Sequence, residues 1–284
     1  MTAKVAVVGS ANLDIVLTVP RRPLAGETIM GHGMQETAGG KGLNQALSAA
    51  RVTETTLIGC VGRDRAAIQI ETALATAGVE THNIVRQEIV TGRAYIQVTP
   101  DGENSIIVMA LANSALTAKD ALSALEKANP LVVLTQFEVP RPVTIAVAEW
   151  CRQKGVRLVL NPSPVHSVDI DTISSADPLI LNQVEAQAIL GVESQDYRTL
   201  AIDLASRFKS VVLTAGSDGA FVVVGGELAH VLGERVSVVD TTGAGDAFAG
   251  TLAGYLAEGI GLVDSAMLAN REAARVIQLS RRAR

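Results

Sequence analysis

An α/β fold, with a mainly parallel sheet between two layers of helices, is predicted by three features of the 284-residue sequence. Short Val/Leu/Ile runs alternate with stretches of helical period along most of the chain. Those runs are apolar throughout, as strands buried on both faces are. Glycine stands where helices should stop, at Gly78 and Gly155. Strand–helix repetition of this kind places helices on both sides of the sheet.

The strands are expected at Lys4–Gly9, Thr56–Val61, Leu131–Gln136, Arg157–Asn161, Pro178–Leu181 and Val211–Ala215. The helices are expected at Leu43–Ala50, Arg65–Ala77, Ala118–Ala128, Val143–Lys154, Val184–Leu190 and Leu200–Phe208. Two regions break the alternation. Ile15–Met34 mixes proline, glycine and polar residues without a helical period. Gly92–Ala110 reads as two strands, Ala94–Thr99 and Asn104–Val108, joined by Pro100-Asp101-Gly102-Glu103, which is hairpin chemistry. A small antiparallel sheet projecting from the core is predicted from segments at about 13–38 and 92–110, with edge-strand decoration as the alternative. Neither an internal repeat nor a linker interrupts the sequence, so residues 1–284 read as one domain.

Composition narrows the function classes. Apolar residues make up 48%, enough for a large core. Aromatics are 3%, which disfavours single-strand stacking platforms. With 24 Lys and Arg against 29 Asp and Glu, the net charge of −5 lacks the footprint of a general nucleic-acid binder. The only basic cluster, Arg281-Arg282-Ala283-Arg284, reads as a solvated end. No apolar run approaches the roughly 18 residues of a membrane span. Cys60 and Cys151 are far apart and form neither a metal motif nor a disulfide framework. The first residues carry no signal-peptide pattern, and a cytoplasmic location is expected.

Three segments carry chemistry. Val236–Val239 reads as a strand running into Asp240-Thr241-Thr242-Gly243-Ala244-Gly245-Asp246 and then a helix. Small residues at Gly243, Ala244 and Gly245 let N–H groups converge on an anion at the helix start. Asp246 would stand beside that anion, suited to taking a proton from an attacking hydroxyl. The commoner fate of such an aspartate is simply to cap the helix. Phe248 stands where a dinucleotide GxGxxG fingerprint needs its third glycine, and no P-loop occurs. The second segment, Ala38-Gly39-Gly40-Lys41-Gly42-Leu43-Asn44-Gln45-Ala46, lets a ligand approach the backbone, with Lys41 and Asn44 within reach. By itself it is more often only a turn. The third, Gly9-Ser10-Ala11-Asn12-Leu13-Asp14, follows the first strand, where ligands of open α/β sheets bind. Asn12 and Asp14 suit sugar hydroxyls, and an Asx turn is an equal alternative.

Together these segments resemble the ribokinase-like carbohydrate kinases, the PfkB family, and the resemblance runs from Gly9 to about Asn270. Gly39–Ala46 is similar to the family's first signature and Asp240–Phe248 to its second. Gly9–Asp14 and Gly26-Glu27-Thr28 are similar to the ribokinase branch in particular. The resemblance implies a ribokinase-like three-layer fold with a β-sheet lid that also forms a homodimer interface. It implies a kinase that moves the γ-phosphoryl of ATP to the primary hydroxyl of a pentose. D-ribose is the first candidate, with deoxyribose, fructose or a nucleoside as alternatives. Asp246 would be the base, and the N–H groups of Gly243, Ala244 and Gly245 the anion hole. Asn12, Asp14, Gly40, Lys41, Asn44 and Glu138 would hold the sugar. Asn182 and Glu185 match the Asn-x-x-Glu motif that governs Mg2+, with Glu185 acting through water. Thr214, Gly216, Ser217 and Gly219 match the nucleotide loop, Asn270 the adenine side, and Asp240 and Thr242 part of a potassium site.

Three departures bear on these expectations. Gly62-Arg63-Asp64-Arg65-Ala66-Ala67 keeps the aspartate of a Gly-x-Asp-x-x-Gly pattern and loses its second glycine. Leu111-Ala112-Asn113 replaces the family's Gly-Ala-Asn. After Asn270 the family's Gly-Ala-rich loop gives way to Arg271–Arg281, so little potassium dependence and a raised KM for ATP are expected, with Ser280 or carbonyls near Ile277 and Leu279 as substitute ligands. A low-activity binding protein on the kinase scaffold is the rival outside catalysis, and a dinucleotide oxidoreductase is weakened by the failed fingerprint.

Overall fold

The computed structural model describes residues 3–165 and 173–279. The expectations attached to Ser280 and the terminal arginines lie outside them. A nine-stranded sheet runs in the order β13-β12-β11-β10-β9-β8-β1-β4-β5. Its strands are β1 Val5–Val8, β4 Thr55–Val61, β5 Ile84–Arg86, β8 Val132–Gln136, β9 Arg157–Asn161, β10 Leu179–Asn182, β11 Ser210–Thr214, β12 Ala220–Val224 and β13 Glu227–Val231. All pair in parallel except β12 and β13, which close one edge as antiparallel strands. The strands predicted from apolar runs form within a residue or so of their expected bounds.

Alternation along β1 shows why helices cover both faces. Val5 and Val7 join one core and Ala6 and Val8 another. The first core packs under helices α1 Lys41–Ala50, α2 Arg65–Thr76, α7 Ala244–Ala257 and α8 Leu262–Ile277. The second packs under α3 Ala118–Ala128 and α4 Arg141–Lys154, continued by a third cluster under α5 Gln183–Leu190 and α6 Tyr197–Ala205. The result is the predicted three-layer arrangement. Cys60 and Cys151 are free and buried, and burial pushes their thiols up to about 11 and about 12, so neither serves as a nucleophile. Among the described residues no helix is long and apolar enough to cross a membrane.

A second sheet of four strands, ordered β3-β2-β6-β7, stands apart from the first. It contains β2 Asn12–Thr18, β3 Gly33–Gly39, β6 Gly92–Val98 and β7 Asn104–Met109. The two interrupting segments do form this small sheet, with one correction: β2 pairs with β6 in parallel. The hairpin chemistry around Gly102 is local, whereas β2 and β6 are distant in sequence and enter the sheet from the same side. A second correction concerns Val236–Val239, which is not a strand. Its end is held by α8, because the N–H groups of Val239 and Asp240 both donate to the Ile277 carbonyl, at 2.8 and 3.1 Å.

Asp64 ties the small sheet to the large one. Its carboxylate caps α2 by accepting from Ala67 N–H (3.0 Å) and accepts from the N–H (3.0 Å) and hydroxyl (2.6 Å) of Thr91, just before β6. Partial burial pushes the Asp64 carboxyl up, but the Thr91 and Ala67 hydrogen bonds and the Arg93 charge outweigh it and hold the group below its ordinary value of 3.8. A carboxyl so held contributes stability above its unfolded pKa, and loses that contribution as pH falls through the lowered folded value. Asp64→Ala should therefore cost about 2–4 kcal/mol in urea unfolding at pH 7, from the lost cap and the unpaired Thr91 groups. The difference from wild type should shrink below about pH 4.

Candidate active site

Every segment singled out for chemistry lies beyond the C-terminal ends of the parallel strands. The strand order reverses between β1 and β8: from β1 the chain builds outward to β4 and β5, then returns to add β8 to β11 on the other side. Such a switch point opens a crevice at the strand ends. Ser10 and Asn12 follow β1, Gln136 ends β8 with Glu138 just after it, Asn161 ends β9, Asn182 ends β10 and Thr214 ends β11.

Two helices begin in the crevice, each from a positive-φ backbone position that suits glycine. Gly40, with φ 93°, precedes α1, and Gly243, with φ 78°, precedes α7. Asp246, in the first turn of α7, is 7% exposed. Both of its oxygens are held from α1: Asn44 Nδ2 donates to Oδ2 at 3.2 Å and Gln45 Nε2 to Oδ1 at 3.0 Å. Asp246 is therefore bound to the other glycine motif and does not serve as an N-cap, a position Gly243 fills. The first N–H groups of a helix have no intrahelical acceptor. Of the three expected to bind an anion, that of Ala244 already donates to the Thr241 carbonyl at 3.2 Å, across the turn.

The residues expected to hold the sugar gather around the start of α1. Glu138 Oε2 accepts from the Ser10 hydroxyl (2.5 Å) and from Lys41 N–H (3.1 Å), so this carboxylate fixes the helix start, where the helix dipole favours negative charge. Asn12 is buried, and its Oδ1 accepts from Asn113 Nδ2 at 2.7 Å, while Asn113 Oδ1 accepts from Ala11 N–H at 3.0 Å. Asp14 lies on β2 against Gly39 of β3, so close that a Cβ on Gly39 would come within 2.5 Å of all three carboxyl atoms. Leu111, standing where the family pattern has glycine, has φ 46° in the left-handed region, a strain of roughly 1–2 kcal/mol for a residue with a side chain. The substitution nevertheless leaves Asn113 on its partners.

The residues expected on the nucleotide side line one cavity of about 430 Å3. Thr214, Gly216, Ser217, Gly219 and Asn270 are in its wall, together with Ala244 and Gly245 of the α7 turn. Asn270 Nδ2 also donates to the carbonyls of Val231 and Leu232 at 3.4 Å. Phe248, Val236, Val238, Ala273 and Ile277 add an apolar lining that motif spacing does not reveal. Asn182 pairs with Thr214 across β10 and β11 and forms with Glu185 a capping box for α5: Glu185 N–H donates to Asn182 Oδ1 and Asn182 N–H to Glu185 Oε2, each at 2.9 Å. Asp240 Oδ1 accepts from Thr242 N–H at 2.8 Å. Gln45, Gln136, Asn161, Ser10 and Asn113 also build the site and were not singled out from sequence. The signal for Gln45 was its place next to Asn44 in the glycine motif, and for Asn161 the Asn-Pro-Ser-Pro run at a strand end.

A buried carboxylate at a helix start, next to glycine N–H groups on the rim of a nucleotide-sized cavity, has the parts of a phosphoryl-transfer site. The family model of the pfkB family carbohydrate kinases matches residues 2–282, and the chain belongs to that family. It is similar to the ribokinase of Bacillus subtilis, at 37% identity over 275 residues covering 95% of this chain and 91% of that one. It is also similar to the ribokinase of Staphylococcus aureus, at 34% identity over 265 residues, 90% of this chain and 87% of the relative. Among solved structures, Arabidopsis thaliana ribokinase complexed with ribose and ATP superposes with a TM-score of 0.90 at 30% identity, covering 99% of this chain and 94% of that one.

Proposed function

We propose that the protein is an ATP-dependent ribose kinase, transferring the γ-phosphoryl group of ATP to the primary hydroxyl of D-ribose. The observation that carries this reading is the pair of hydrogen bonds from Asn44 and Gln45 to Asp246, which brings the sugar motif and the phosphate motif onto one carboxylate. Asp246 takes the hydroxyl proton as the oxygen attacks the γ-phosphorus and ADP leaves. The N–H groups of Gly243, Ala244 and Gly245 receive the developing charge, Ala244 after its turn bond to Thr241 opens. Asn12, Asp14, Gly40, Lys41, Asn44 and Glu138 orient the sugar. The cavity beside Thr214 and Asn270 takes the nucleotide. The sugar complex and nucleotide of the Arabidopsis relative support this assignment of classes.

Mg2+ fits the donor set as an ion held mainly by phosphates and water, with Glu185 contacting it through water. When bound it neutralises charge on the transferring phosphate. Among the described residues no group of three His, Cys, Asp or Glu forms a protein-only cage. At the expected potassium site Asp240 Oδ1 accepts from Thr242 N–H and the Ile277 carbonyl accepts from two N–H groups, while Ser280 lies outside the described residues.

The test is ADP release with ATP over a panel of ribose, deoxyribose, fructose and nucleosides. The highest kcat/KM is expected for ribose, and a nucleoside in first place would overturn the substrate assignment. We also propose a homodimer through the small sheet. Its edge strand β7 exposes Ile106, Ile107, Val108 and Met109 in succession, and β3 exposes Met34. An apolar unpaired edge is an association hazard unless a partner covers it, and a second copy offers the same edge. Ile107→Lys should shift the sedimentation coefficient from dimer to monomer. An unchanged value, or a wild-type monomer, would refute this interface.

A further inference from the structure

Asp246 is held by a buried chain of amides whose direction is fixed from its far end. Asn161 Nδ2 donates to the carbonyl of Ile180 at 3.0 Å, and a carbonyl accepts only. Asn161 must therefore present Oδ1 to Gln45. Gln45 answers with Nε2, which donates to Asn161 Oδ1 at 3.2 Å and, with its second hydrogen, to Asp246 Oδ1 at 3.0 Å. That leaves Gln45 Oε1 facing Gln136, whose Nε2 donates to it at 2.7 Å. Among the described residues Gln136 Oε1 is then left without a hydrogen-bond partner, although Gln136 and Gln45 are both fully buried.

A buried acceptor without a donor is costly, and turning the Gln136 amide over would move its oxygen against that of Gln45. The chain thus keeps one polarity at the expense of an unpaired group. The partner at its end is the one titratable side chain in the chain of contacts. We propose that Gln45 and Gln136 are positioning residues for Asp246: they hold Oδ1 against the protein so that Oδ2, which shares Asn44 with the sugar pocket, is the oxygen that takes the proton. This inference rests on the reading of Asp246 as the base. Gln45 lies behind the carboxylate and Gln136 behind Gln45, so neither needs to touch the sugar to act. Their effect falls on the geometry of proton transfer, where displacement of a reacting group of about 1 Å costs on the order of 100-fold.

The experiment compares Gln45→Met, Gln136→Met and Gln136→Glu with wild type, using D-ribose and ATP with Mg2+, and follows kcat, both KM values and thermal unfolding. Gln45→Met keeps length and removes the donor. It should lower kcat by about 10- to 100-fold, with each KM within about twofold of wild type. Gln136→Met exchanges one unpaired acceptor for another, so the unfolding temperature should hold while kcat falls by a smaller factor. Gln136→Glu offers Gln45 only an acceptor and turns its amide over, so its kcat should fall below that of Gln136→Met. Unchanged kcat in folded Gln45→Met, or a loss that appears in KM instead, would overturn the proposal. If Gln45→Met does not fold, wild-type kcat in Gln136→Met overturns it alone. Asp246→Asn is the separating control. Near wild-type turnover there would remove the base itself, whereas a dead Asp246→Asn beside an active Gln45→Met would remove only the positioning role.

Discussion

Replacing Asp246 with asparagine should yield a folded protein that binds nucleotide as before, changes little in sugar binding and turns over about 10²- to 10⁴-fold more slowly. The asparagine keeps the volume of the buried side chain and one oxygen to accept from Gln45. It loses the second acceptor, so its amide meets the Asn44 amide and one of the two must turn. That rearrangement is local, because Asp246 does not cap α7 and the helix is otherwise packed through Phe248, Leu252 and Leu256. What the variant cannot do is accept a proton. Steady-state kinetics beside calorimetric titration of each substrate checks both halves. Near wild-type turnover would leave Asp246 as a structural link between α1 and α7 and nothing more.

Asp14→Ala should weaken sugar binding by about 10- to 100-fold and leave ATP affinity within about twofold, since a hydrogen bond to a charged group contributes roughly 1.5–3 kcal/mol. The two ligands separate in this way because Asp14 belongs to β2 of the small sheet, whereas the cavity proposed to take the nucleotide is walled by α7, α8 and the segments after β11 and β13. Gly39→Ala should reproduce the effect without touching the carboxylate chemically. Its Cβ would come within 2.5 Å of the Asp14 carboxyl, too close for both to stay, so the Asp14 side chain must shift. Titration of sugar and ATP into both variants decides the point. Equal losses for the two ligands would put Asp14 outside the sugar pocket.

Local sequence determined much of the architecture. Unbroken apolar runs such as Arg157–Asn161 are strands because both faces of a parallel sheet are covered, and the pattern carries that information within a few residues. Gly40 and Gly243 mark the two helix starts for a reason equally local, the positive φ that each adopts. The same locality explains part of what was missed. β12 is itself an apolar run with three of its five residues buried and carries the strand pattern, though it was not assigned; β13, reached through Gly225 and Gly226, is mostly half-buried or exposed and reads as a loop. Val236–Val239 has strand composition, yet its N–H groups find the end of α8 before they find another strand.

The site divides along the same line. The residue types and spacing of Gly39–Ala46 and Asp240–Phe248 sufficed to name Asn44 and Asp246, and to expect an anion beside the second motif. Only the tertiary structure decided that these two side chains meet, that Gln45, Gln136 and Asn161 stand behind them, and that Asn182 and Glu185 bond to each other as a helix cap. A turn or a helical period is set by interactions among neighbours, so the sequence displays it. A hydrogen bond across some 200 residues, like that from Asn44 to Asp246, depends on how α1 and α7 pack over the same strands. No local pattern encodes that packing, because it arises from the burial of both helices against one face of one sheet.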